Sequence, residues 1–176
     1  MFVTNSFAQI SGQTRLSGGS LVASVPIQIQ AGQVTGSGAI SGPVMNNGTI
    51  APGSPIGTLV FNQPLTLGAD SILSFDIGGR TQGVDYDFIS PAGQLLALNG
   101  RIQAQFLNGF ETSVTSTDAF VVIEACPQCL SGSFGNAPSG ADLATTDGLG
   151  TFAVFYGPGS PFPPGQVVLT NFRPTP

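Results

Sequence analysis

The chain is predicted to be all-β, and within that class a β-helix whose last coils are closed by a β-rich C-terminal cap. A Greek-key β-sandwich is the second choice. Three observations lead there. Apolar residues recur with period 2, and nowhere convincingly with the period of 3.6 that marks an amphipathic helix. Turn residues punctuate the chain every few positions. Charged residues make up only 7% of 176 residues, against about 25% in an ordinary soluble domain.

The elements follow in chain order. In the first half, Leu16, Leu21, Val25, Ile27, Ile29, Val34, Ile40, Val44, Ile50 and Leu59 each stand near a glycine corner. That spacing suits coils that turn after three or four residues. Residues 26–30 alternate as Pro-Ile-Gln-Ile-Gln. Residues 71–77 place Leu73, Phe75 and Ile77 on one face, with Ser74 and Asp76 on the other. Residues 94–106 place Leu96, Leu98, Ile102, Ala104 and Phe106 inward, and Asn99, Arg101, Gln103 and Gln105 outward. Phe120-Val121-Val122-Ile123 is continuous and β-branched, as in a strand buried on both faces. Phe152, Val154 and Tyr156 alternate again, and Val167-Val168-Leu169 forms a last strand. Between them lie Gly18-Gly19, Gly36-Ser37-Gly38, Asn46-Asn47-Gly48, Pro52-Gly53-Ser54-Pro55, Gly78-Gly79, Asn99-Gly100, Asn108-Gly109 and Pro163-Pro164-Gly165. Glycine and asparagine supply the positive φ of tight turns.

The low charge has a physical reason in a stacked solenoid. Like charges repeated about every 4.8 Å up one face would repel, whereas Asn, Ser and Thr tolerate stacking on themselves. The outer face of a sandwich carries no such penalty. One continuous unit is expected, with coils over 1–67 and final coils plus cap over 68–176.

Composition also excludes functions. A formal charge of −5 with four arginines and no lysine leaves no basic patch for nucleic acid. Without histidine there is no imidazole base, metal ligand or Ser-His-Asp triad. Without lysine there is no Schiff base. No apolar run reaches the ~18 residues of a membrane span. Residues 1–5 show no signal-peptide pattern, so the expectation is a processed chain or a piece of a longer one.

The block Gly36-Ser37-Gly38-Ala39-Ile40, then Asn46-Asn47-Gly48-Thr49-Ile50-Ala51-Pro52-Gly53-Ser54-Pro55-Ile56-Gly57-Thr58-Leu59, resembles a signature of autotransporter-like bacterial surface proteins, in their passenger-associated repeat region. Later stretches resemble the same pattern in the same order: 73–79, 85–89, 98–102, 108–110, 120–123, 131–134 and 152–156. Residues 6–9 and 12–21 look like one further coil. Two departures stand out. Ile56 is inserted where the family runs from proline to glycine, and no outer-membrane barrel or sorting helix follows. The resemblance implies a right-handed β-helix, secreted or displayed at a bacterial cell surface. It implies a structural or adhesive role and no enzyme activity, with no cofactor.

Candidate sites are few. Cys126 and Cys129 read as a short-loop structural disulfide. Free thiols, redox work or metal binding are the alternatives, but two cysteines alone cannot make a tetrahedral zinc site. Asp85 and Asp87 flank Tyr86 and on a strand would share a face, with Asp76 on a neighbouring coil. They are candidate ligand or calcium residues, against the plainer role of capping turns around a buried tyrosine. Arg15, Arg80, Arg101 and Arg173 lie in no recognisable motif, which weakens a polysaccharide-active enzyme. Glu124 should end a strand in solvent. Phe106, Phe110, Phe120, Phe134, Phe152, Phe155 and Tyr156 read as cap core before they read as a sugar platform. The expected partners are a glycan or surface ligand and other copies of the chain through the solenoid ends. A carbohydrate-binding module is the alternative function.

Overall fold

The computed structural model describes residues 2–4 and 6–176, with side chains from Ser6 onward. Met1 and Asn5 lie outside the described residues.

After β1 (Phe2–Thr4), the chain repeats one itinerary. The first pass is β2 (Phe7–Gln9) and β3 (Gln13–Ala23). The second is β4 (Ile27–Ile29) and β5 (Gln33–Ser41). The third is β6 (Val44–Asn46), β7 (Thr49–Pro52) and β8 (Thr58–Phe61). The fourth is β9 (Leu65–Leu67), β10 (Ile72–Ile77) and β11 (Phe88–Ser90). The fifth is β12 (Leu96–Leu98), β13 (Arg101–Phe106), a 3-10 turn at Phe110–Ser113 and β14 (Ala119–Glu124). A sixth opens with β15 (Leu130–Gly132).

Equivalent strands of successive passes pair in parallel, in three ladders. The first is β2-β4-β6-β9-β12-β15, with Phe7, Ile27, Val44, Leu65, Leu96 and Leu130 in register. The second joins the front halves of β3 and β5 to β7, β10 and β13, stacking Val34, Ile50, Leu73 and Ile102. The third joins β1, the back halves of β3 and β5, β8, β11 and β14. The inward residues are almost all fully buried. An exclusively antiparallel sandwich does not fit this pairing.

The stacking argument about charge holds at the level of pairs. Across the ladders Arg15 faces Thr35, Asp76 faces Gln105, and Arg101 faces Ile72. Among the described residues no charged residue in a paired position lies opposite a like charge. Polar stacks take those places instead, such as Gln13-Gln33-Thr49 and Ser17-Ser37.

The strands are not uniformly short. β3 has 11 residues and β5 has 9, because each bends through a corner as one strand, with a register shift at Gly18-Gly19. Gly36 makes this bend possible. Its φ is +91°, and a Cβ there would run into the Leu16 carbonyl one pass below. Val25 is a further departure. It is 40% exposed, since it falls in the connection before β4 and not on a ladder.

Beyond residue 132 the pairing turns antiparallel. β16 (Asp142–Ala144), β17 (Gly150–Tyr156) and β18 (Gln166–Pro174) form a meander whose last strand pairs with β14. The second and third ladders and this meander are one 12-stranded sheet. It curls until its ends nearly meet, where the Thr146 N–H donates to the Ala104 carbonyl of β13 at 2.9 Å. A bulge between Val121 and Ile123 turns both Val122 and Ile123 inward and leaves Val121 half-buried. So β14 is not covered on both faces throughout. Phe152 sits at the centre of the cap, with ring centroids 5.5, 5.9 and 5.0 Å from Phe106, Phe120 and Phe172. Cys126 and Cys129 form a disulfide across a turn, with Cα atoms 5.0 Å apart and the Cys129 N–H on the Cys126 carbonyl. It pins the link from β14 to β15.

Candidate functional site

The corner between the second and third ladders changes from pass to pass. It is Gly18-Gly19 in β3 and Gly36-Ser37-Gly38 in β5. It opens to residues 53–57 after β7, to 78–87 after β10 and to 107–118 after β13. The widening corner holds Asp85, Asp87, Glu111 and Asp118, with Asp76 at the strand end beside it.

Asp87 is the buried one, 1% exposed. Its Oδ1 accepts the Gly57 N–H at 2.9 Å and its Oδ2 accepts the Asp76 N–H at 2.9 Å. It therefore straps the 53–57 corner of one pass to the strand end of the next. Burial pushes its carboxyl up to about 8, against the pull of those two backbone donors and with the Asp76 charge adding to the rise. Asp76 is half-buried. Burial raises its carboxyl as well, opposed by a hydrogen bond from Gln105 Nε2 at 2.7 Å.

Asp85 goes elsewhere. It is on the surface, where hydrogen bonding from Thr81, side chain and backbone, holds its carboxyl below the usual range. Residues 85–87 are not a strand, since β11 begins at Phe88 and Tyr86 makes only isolated bridges to Ile77 and Gln82. The expectation that Asp85 and Asp87 share a face is thus corrected. The loop turns between them, so one carboxylate enters the core and the other leaves it. Among the described residues no three acidic or cysteine side chains converge as metal ligands would. Tyr86 is buried, as expected, edge-on to Phe120 with centroids 5.4 Å apart.

No family model matches the chain, and no curated protein or solved structure matches it. The geometry of the corner must therefore speak for itself.

Arg80 holds the widest corner to the one before it. It makes a two-pronged pair with Asp118, Nε to Oδ1 at 2.9 Å and Nη2 to Oδ2 at 2.8 Å. Its guanidinium also lies 5.2 Å from the centre of the Phe110 ring. Asp118 takes a further N–H from Thr115, and its carboxyl is held far below the usual range by Arg80 first. Among the described residues no arginine forms an ion pair with Asp76 or Asp87. Arg173 pairs with Asp142 in the cap.

Beside the 53–57 corner lies a groove of about 200 Å³, lined by Gln13, Gln33, Thr35, residues 51–55 and Asp76. Thr35 faces outward in β5 yet is 5% exposed, and its Oγ1 has no hydrogen-bond partner. Of these only Asp76 was singled out by the sequence. The stacked glutamines and Thr35 look like any other polar ladder position until the corner folds over them.

A second group that the sequence did not reveal closes the free edge of β13. The Asn136 side chain bonds both the Ile102 N–H (3.0 Å) and the Ile102 carbonyl (2.8 Å). Asp147 Oδ2 accepts the Phe106 N–H at 2.6 Å and its Oδ1 the Leu149 N–H at 3.0 Å. Burial raises the Asp147 carboxyl, but hydrogen bonds from Thr145 and from these N–H groups outweigh it and leave it lowered. Glu124 ends β14 in solvent as expected, accepting from Gln166 Nε2.

Proposed function

We propose that the chain is a non-catalytic structural or adhesive module of an extracellular or cell-surface protein. In this reading the parallel passes are coils of a right-handed β-helix of the autotransporter-like kind, and the meander after residue 132 is the device that ends it. One observation carries the proposal. The last pass is closed on its outer edge by dedicated groups, with β18 on β14 and with Asn136, Thr146 and Asp147 on β13. Natural sheets spend residues on an edge that would otherwise recruit another chain. A terminator of this kind serves a scaffold whose job is to stand in solvent as an extended surface. The disulfide between Cys126 and Cys129 suits an oxidising compartment.

The test is surface labelling of intact source cells with an antibody to the folded chain, together with fractionation of the medium. Signal on intact cells or in the medium is expected. Signal only after lysis overturns the extracellular reading.

A further inference from the structure

The groove beside the 53–57 corner is built for a ligand that the structural reading above does not require. Its lining offers two side-chain amides, Gln13 and Gln33, two hydroxyls, Thr35 and Ser54, and one carboxylate, Asp76. Pro52 and Pro55 add apolar ring faces. Burying a hydroxyl without a partner is costly, and Thr35 Oγ1 is such a hydroxyl at the groove floor. A ligand hydroxyl would satisfy it once the Thr35 side chain turns toward the groove.

The chemistry narrows the ligand. No arginine lines this groove, so an anion would meet Asp76 uncompensated. A hard cation such as Ca²⁺ asks for about six to eight oxygens and usually several carboxylates, and one carboxylate is offered. A volume of about 200 Å³ is below the range of about 300–1,000 Å³ for drug-sized ligands, and suits a single ring. Amides, hydroxyls and a carboxylate above proline faces match a neutral ring that carries several hydroxyls and an apolar C–H face. The groove also continues. A second depression of about 230 Å³, lined by Arg15, residues 16–18, Gly36, Ser37, Ser54 and Ile56, shares Ser54 with the first, and Arg15 there offers hydrogen-bond donors to sugar oxygens.

We propose that this corner binds a neutral oligosaccharide, with one sugar unit in the Asp76 groove and the next across Ser54. The inference stands apart from the structural reading, since a scaffold needs no such site.

The experiment is an NMR titration of the ¹⁵N-labelled full chain with maltose, cellobiose, lactose and diacetylchitobiose, up to about 20 mM each. Methyl glycosides of the component monosaccharides and CaCl₂ serve as further probes. At least one disaccharide should move the amides of Gln13, Gln33, Thr35, Gly53, Ser54 and Asp76, and bind more tightly than the methyl glycosides of its single sugar units. Asp76→Ala and the near-isosteric Thr35→Val should each weaken that binding about tenfold with the rest of the spectrum unchanged. No shifts with any sugar, shifts confined to other residues, or unchanged affinity in both variants would overturn the proposal. So would CaCl₂ moving these amides while the sugars do not.

Discussion

The two ends of the stack are finished differently. At the C-terminal end two of the three ladders stop against something: β14 is covered by β18, and β13 by Asn136, Thr146 and Asp147, while the three-residue β15, tethered by the disulfide turn before it, pairs only with β12. At the N-terminal end β1 covers the back half of β3, and among the described residues no strand covers β2 or the front half of β3. An apolar depression of about 200 Å³, lined by Phe7, Leu16 and Leu21 with Thr14 and Arg15, opens at that end. The C-terminal end is therefore a block of tertiary structure, whereas the first passes lean mostly on the pass after them. In stacked architectures stability comes from nearest-neighbour interfaces, so the same kind of lesion should matter more at the closed end.

Phe152→Ala against Leu16→Ala is the largest contrast. Phe152 is fully buried at the centre of the cap aromatics, and truncation there should cost about 3–5 kcal/mol. Leu16 is 9% exposed beside the open depression, where the surroundings can relax, and should cost about 2 kcal/mol or less. Urea unfolding of the two variants decides it. Equal losses would mean that the ends are energetically alike, and that the open end is closed in solution.

The next test removes the closure itself. In Asn136→Ala combined with Asp147→Ala, the Ile102 and Phe106 N–H groups lose their acceptors. Each buried unsatisfied group costs about 1–3 kcal/mol, so a loss of about 2–4 kcal/mol is expected. The freed edge of β13 should also recruit other copies. Sedimentation velocity should show association rising more steeply with concentration in the variant than in the parent chain. A variant that stays monodisperse would show that the curl of the sheet, and not these side chains, protects the edge.

How much of this could be read from the sequence follows the same division. Period-2 alternation named the inward residues of β10, β12 and β13 correctly, because burial in a ladder is set by local parity. Val25 failed because it lies in a connection, where parity has no partner strand to refer to. The Asp85–Asp87 pair failed for a related reason. Its spacing was read as strand, and the loop closed by the Gly78 N–H on the Asp85 carbonyl put the two on opposite sides of the surface. Asn136 and Asp147 carry no local pattern at all. Their role depends on an edge more than 30 residues earlier in the chain, at Ile102 and Phe106. The groove residues Gln13, Gln33 and Thr35 come from two different passes, and only stacking brings them together.

Asp87 lies between the two ends and gives the smallest effect with the cleanest reading. Its folded carboxyl is raised to about 8 from the ordinary 3.8, so the folded state holds a proton that the unfolded chain has released. The stabilisation is full below about pH 4 and is lost as pH rises through 8. The sequence contains no histidine, and both cysteines are bridged, so few other side chains titrate between pH 6 and 9. Asp76 is raised as well, chiefly by burial. The groups whose carboxyls are lowered, Asp85, Asp118 and Asp147, act only in acid, where their contribution is lost. Stability should therefore fall by about 2–3 kcal/mol from pH 6 to pH 9, read by urea unfolding at each pH. Asp87→Asn should be less stable at pH 6, since its amide NH₂ meets a backbone donor. It should also be nearly flat across the same window. A flat parent profile would place the Asp87 carboxylate ionised in the core, held by the Gly57 and Asp76 N–H groups. An unchanged slope in the variant would move the titration to Asp76.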